Sequence, residues 1–133
     1  INAEGFFNGS VGGVSGGENS GTIKKCINYT GINVISQNIY GIYIGGIAGK
    51  TNNDYVTECG NYGDISVSCI DSTVESRALY IGGISGDNSN ISVISDCFNR
   101  GNIDVDFCCS FRYCHSYHAS KCFIHIGNCT NNH

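Results

Sequence analysis

One short phrase, written three times, constrains this chain more than any other feature. Gly12-Gly13-Val14-Ser15-Gly16, Gly45-Gly46-Ile47-Ala48-Gly49 and Gly82-Gly83-Ile84-Ser85-Gly86 each lead, 14 or 15 residues on, to a Cys-x-Asn unit. Those units are Cys26-Ile27-Asn28, Cys59-Gly60-Asn61 and Cys97-Phe98-Asn99. The Gly-Gly pairs start 33 and then 37 residues apart, and the cysteines fall 33 and then 38 apart. A period of this size marks a solenoid, propeller or repeat array, in which each unit buries its apolar face only against its neighbours.

Aligned on the cysteines, the units continue with period 2. Ile32, Ile65 and Ile103 share one column, Val34, Val67 and Val105 the next, and Ser36, Cys69 and Phe107 the one after. Between them lie the mostly polar columns Asn33, Ser66, Asp104 and Ile35, Ser68, Asp106. Such alternation describes a half-buried strand, and columns of constant type describe parallel, in-register stacking at about 4.8 Å per layer. Further columns are Val11, Ile44, Ile81, then Val14, Ile47, Ile84, then Ile23, Val56, Ile94. Two or three short strands per repeat are expected, joined by turns rich in Gly and Asn. Glycine and β-branched residues interrupt every window in which a helix could be placed.

The expected fold is therefore all-β: a parallel β-solenoid of about three rungs of 33–38 residues with an irregular Cys-rich C-terminal cap. Residues 1–133 read as a single domain, with repeats over 9–41, 42–78 and 79–107 and a loop or cap over 108–133. Val34 to Gly45 spans 11 residues and Val67 to Gly82 spans 15, so one corner grows a loop.

Composition narrows the function classes. Charged residues make up 14% and the net charge is −4, which argues against a nucleic-acid or anionic-membrane partner. No apolar run approaches the roughly 20 residues needed to cross a bilayer. The start at Ile1, in mid-pattern and without Met or a signal-like stretch, is expected of a processed product or a fragment.

Gly-Gly-[Ile/Val]-[Ser/Ala]-Gly, followed by Cys-x-Asn-[Tyr/Arg] and an Ile-x-Val strand, resembles the GLUG-type repeat. The resemblance covers roughly residues 9–107 and recurs in all three units. It implies a repeat-built extracellular or cell-surface module of the adhesin-like kind, and it carries over no catalytic residue and no cofactor. The expected partners are a further copy of the chain, joined end to end or laterally, or a surface glycan or protein. A fibre would use the rung ends; an adhesin would use a lateral face bearing tyrosines such as Tyr40, Tyr43 and Tyr80.

Candidate sites stand beside plainer readings. Cys26, Cys59 and Cys97 form a column that strings thiols along a line instead of converging them on a metal, so a ladder of small buried side chains is expected. Asn28, Asn61 and Asn99 read as a stacked amide ladder serving turn backbone groups. Lys25, Glu58 and Asp96 share a column in which Lys25 and Glu58 make a favourable cross-rung pair. Of the sequons at Asn8, Asn28, Asn90 and Asn128, Asn8 and Asn90 sit in turns and are the candidate glycosylation sites, whereas Asn28 belongs to the ladder.

Nine cysteines is an odd count, and five of them crowd the C-terminal segment. Cys108, Cys109, Cys114, Cys122 and Cys129 are disulfide candidates in a secreted chain. Cys114, His115, His118 and Cys122 offer zinc-type donors, at a spacing that matches no motif of defined geometry. Phe123-Ile124-His125-Ile126-Gly127 echoes Leu79-Tyr80-Ile81-Gly82-Gly83, as a degraded closing rung would. A β-helix enzyme acting on polysaccharide is the remaining alternative. Asp64, Asn102, Asp104, Asp106 and Arg100 loosely imitate its grouped carboxylates and base, but no acid/base pair at a defined distance is legible. The outward column Asn33, Ser66, Asp104 is not the flat Thr array that ice binding needs.

Overall fold

Short β-branched segments punctuated by Gly and Asn wind into coils of parallel strands, and no helix occurs among the described residues. The computed structural model describes residues 1–17, 21–52, 55–69, 79–89, 92–107, 114–116 and 122–126. At 5–8, 37–40, 69, 88–89, 107, 114–116 and 122–126 it describes the backbone alone. The chain is an all-β, parallel β-solenoid.

The first coil comprises β1 (Asn2–Gly12), β2 (Thr22–Lys24) and β3 (Ile27–Asn28). The second comprises β4 (Ile32–Gly45), β5 (Ala48–Asn52), β6 (Tyr55–Thr57) and β7 (Gly60–Asn61). The third comprises β8 (Ile65–Cys69), β9 (Leu79–Gly82), β10 (Ser85–Ser89), β11 (Val93–Ser95) and β12 (Phe98–Asn99). Beyond it lie β13 (Ile103–Phe107), β14 (Cys114–Ser116) and β15 (Cys122–Ile126). A complete coil thus has five arms, more than the two or three expected.

The alignment columns that fall in strands are register pairs, whereas Val14, Ile47 and Ile84 are joined by backbone bonds from Val14 N to Ile47 O and from Ile47 N to Ile84 O. Ile32, Ile65 and Ile103 stack, as do Val34, Val67 and Val105, and Ser36, Cys69 and Phe107. Val56 pairs with Ile23 on one side and Ile94 on the other. The long strand β4 serves two arms: its start pairs with β8 and its end with β9. The unequal periods are now located. Cys69 and Leu79 are separated by four residues more than their stacked partners Ser36 and Ile42, and Ser89 and Val93 by one more than Asn52 and Tyr55.

The first coil reaches further back than residue 9, because Asn2, Ala3 and Glu4 stack on Asn33, Val34 and Ile35. The closing echo also needs correction. Leu79, Tyr80 and Ile81 are stacked by Cys114, His115 and Ser116, while Cys122–Ile126 lies on Ile103–Phe107. Within that phrase, residues 123–126 therefore extend the strand stacked on Ile103–Phe107 and not the one stacked on Leu79.

Two cores run along the axis. One joins the inward residues of the first two arms, including Ile32, Val34, Ile42, Ile44, Ile65, Val67, Leu79, Ile81, Ile103 and Val105. The other gathers Ile47, Ile84, Val56 and Cys59, with Ile23, Cys26, Ile94 and Cys97 against them. Ile47 and Ile84 are fully buried, whereas Val14, in the first coil of the same column, is exposed.

Corners obey the same vertical bonding as the strands. Lys25 N donates to Thr57 O, Gly60 N to Cys26 O, Tyr62 N to Asn28 O and Ile65 N to Asn102 O, all at 2.8–3.1 Å. The residue before each repeat cysteine, Lys25, Glu58 or Asp96, turns its corner with φ of 55°, 55° and 54°. That left-handed conformation crowds Cβ against the following carbonyl, and Asn or Asp tolerates it far better than a β-branched residue does. Asp96→Val is accordingly expected to lower stability by about 1–2 kcal/mol, with Asp96→Asn within about 0.5 kcal/mol of the parent, as read from urea denaturation.

Candidate functional site

The repeated motif residues face inward and bond one another. Asn28 Nδ2 donates to Asn61 Oδ1 at 2.9 Å, and Asn61 Nδ2 donates to Asn99 Oδ1 at 2.8 Å. Each amide also donates to the carbonyl two residues on, at Thr30, Gly63 and Gly101, over 2.8–2.9 Å. Thr30 N closes an Asx turn on Asn28 Oδ1 at 3.0 Å. With both N–H groups engaged and the residue buried, Asn28 offers no acceptor nitrogen to a glycan in the folded coil. Asn8 lies within strand β1 and not in the turn expected, with its side chain not described, while Asn90 and Asn128 lie outside the described residues.

The second glycine of each pair exists because of this ladder. A methyl group on Gly13, Gly46 or Gly83 would overlap the amide of Asn28, Asn61 or Asn99. The third conserves room of another kind. A methyl on Gly49 would meet Val11 N at 2.7 Å and Ser10 Cβ at 2.9 Å, so this arm lies directly over the preceding one. These glycines are steric requirements.

Cys26, Cys59 and Cys97 are free thiols on the inner side of the corner. Cys59 Sγ donates to Thr57 O at 3.1 Å and Cys97 Sγ to Ser95 O at 3.1 Å, while Cys26 Sγ reaches Lys24 O at 3.4 Å. Burial pushes the Cys59 thiol above its ordinary value, against a smaller lowering by the Cys26 backbone. The folded coil therefore keeps this proton after an unfolded thiol has lost it. Its contribution to stability is complete below the ordinary value of 9.0 and declines as pH rises through the higher folded value. Iodoacetamide should alkylate Cys59 more than about tenfold slower than Cys26 in the native chain, as resolved by peptide mass spectrometry.

Among the described residues no three His, Cys, Asp or Glu side chains gather as metal ligands. Of the zinc-type candidates, Cys114, His115 and Cys122 are described by backbone only and His118 not at all. The same holds for the disulfide candidates, since Cys108, Cys109 and Cys129 fall outside the described residues. Asp64 Oδ1 accepts from Asn102 N at 2.8 Å and is thereby a corner cap. Asp104 and Asp106 are exposed on the outer side of β13, and Arg100 lies against aromatic rings.

The outer walls carry aromatic columns. Tyr43 and Tyr80 stack at 4.8 Å between centroids, with Lys50 Nζ 5.1 Å from the Tyr43 ring; the Tyr40 side chain is not described. A second column, which the sequence reading passed over, follows the Asn ladder by one residue. Tyr29 and Tyr62 stack at 5.0 Å, Phe98 meets Tyr62 edge-on at 5.4 Å, and the Arg100 guanidinium sits 5.6 and 5.5 Å from the Tyr62 and Phe98 centroids. The signal was present in Asn-Tyr, Asn-Tyr and Asn-Arg at equivalent positions. At the adjoining corner Glu58 pairs with Lys24 at 3.1 Å and Lys25 at 3.8 Å, so Lys24 is the nearer partner. Both pairs are exposed and contribute at most about 1 kcal/mol.

Compared with protein-family models, with curated proteins and with solved structures, the chain matches none.

Proposed function

We propose that this chain is a non-enzymatic structural and adhesion module of an extracellular or cell-surface protein, a stack of coils that displays its lateral walls to a partner. One observation carries this reading: the recurring Gly and Asn residues hold coil to coil, and Cys59 and Cys97 each also reach a carbonyl of the preceding coil, Ile23 O at 3.6 Å and Val56 O at 3.4 Å. What varies from coil to coil is the outward set, such as Tyr29, Tyr62 and Arg100 in one column. The resemblance to GLUG-type repeats points the same way. Self-association through coil ends is the second reading. It is favoured by β10, β11 and β12, each of which has a paired strand on one side only among the described residues.

Display of the chain on a non-adherent carrier cell tests the proposal. Increased attachment to glycan- or protein-coated surfaces, with the purified chain monodisperse by electron microscopy, is the expected result. Filaments with a regular axial rise and no gain in attachment would replace it with the fibre reading.

A further inference from the structure

We infer that the wall formed by Phe98, Tyr62 and Arg100 is a binding site for a carboxylated sugar, a pyranose carrying an acidic group as in uronic or sialic acids. The inference rests on the proposed role of the lateral walls and names the chemistry that one of them recognises.

The site starts from a missing side chain. Gly60 stands between Ile27 and Phe98 in its column, and the space a methyl would fill there is taken by the end of the Phe98 ring. Phe98 therefore lies down over Gly60, with its plane at 80° to that of Tyr62, and remains 41% exposed. The exposed part of this ring, beside the Arg100 guanidinium, is apolar surface for the C–H side of a pyranose. Ile27, 52% exposed, continues the apolar floor, and Tyr62 borders it.

Arg100 supplies the charge. Its guanidinium is held against Tyr62 and Phe98, and the ion pairs of the described residues involve Glu58 with Lys24 and Lys25, not Arg100. A guanidinium so placed keeps its planar fork of donors for a carboxylate, and aromatic neighbours limit its rotamer freedom.

Size and backbone chemistry select among anionic partners. Three layers at about 4.8 Å give this wall room for one or two sugar rings, far below the roughly 800 Å² that each partner buries in a stable protein interface. An extended acidic peptide would seek a free strand edge such as the outer side of β12, away from the ring faces, and a linear polyglutamate is therefore the competing ligand in the test. A carboxylated ring needs only the face, the cation and nearby hydroxyls.

The test is calorimetric titration of the whole chain with trigalacturonate and with 3′-sialyllactose, each set against its methyl ester. At least one acid should bind saturably, with its ester at least tenfold weaker. Arg100→Gln and Phe98→Ala should each weaken binding at least tenfold while keeping the parent circular dichroism, and Tyr43→Ala on the other aromatic column should not. Absence of binding by both acids overturns the inference, as does binding unchanged in R100Q, or tighter binding of hexaglutamate. If F98A unfolds, R100Q and the ester comparison decide alone. Carrier-cell attachment that persists in R100Q would remove this site and leave the adhesion module standing, whereas loss of attachment by the parent chain would remove the module itself.

Discussion

Gly46→Ala is expected to destabilise the chain by about 3 kcal/mol or more. The added carbon would overlap both the Gly83 carbonyl of the next coil and the Asn61 amide of its own. Neither neighbour is the loose end of a flexible side chain. Gly83 O belongs to the corner backbone, and Asn61 is fixed by bonds to Asn28, Gly63 and Asn99. Relief would require the coils to separate at their centre, where each is stabilised only by its neighbours. Gly17→Ala and Gly21→Ala are the matched controls, since nothing lies within 4 Å of a methyl at either place. They should remain within about 0.5 kcal/mol of the parent. Urea denaturation followed by circular dichroism measures all three, and a mild effect of G46A would show that the glycine pair is not the steric hinge described above.

Asn61→Ala should cost about 3–5 kcal/mol, because it strands three partners at once. The Asn28 amide loses its acceptor, Asn99 Oδ1 loses its donor, and the Gly63 carbonyl loses its cap. Asn61 is fully buried, so water does not replace those bonds. Asn61→Asp should be at least as severe, for an acidic side chain would face two acceptors, Gly63 O and Asn99 Oδ1, without a hydrogen to give. Asn28→Ala should cost less, since that amide sits at the edge of the described ladder and bonds only one neighbouring amide. Equal losses at Asn28 and Asn61 would mean that the ladder adds nothing beyond three separate turns.

Much of the fold was legible because parallel stacking makes neighbours of residues one period apart. Ile32, Ile65 and Ile103 look alike because they pack as one column, and the same holds for Asn28, Asn61 and Asn99. The first coil was hidden where its column residues are small or polar, as with Ala3 beneath Val34. The C-terminal phrase misled for another reason. Alternation with period 2 shows which residues share a face but not which column they extend, and backbone pairing assigns Cys122–Ile126 to Ile103–Phe107. The site candidates divide in the same way. The Cys and Asn ladders could be read from recurrence, whereas Phe98 and Arg100 each occur once in columns that otherwise hold Ile, Gly or Tyr.

The amino-acid sequence by itself determined a parallel coil, its period and the inward faces of its strands, because hydrophobic columns and turn residues are local and recur. Only the tertiary structure decided why the phrase must read Gly-Gly, since the second glycine yields its space to an asparagine about fifteen residues later in the same coil. It also decided that three charged residues turn a left-handed corner and that Phe98 lies over Gly60 beside Arg100. Those facts depend on distances between residues far apart along the chain, and such distances exist only once the coils have closed on one another.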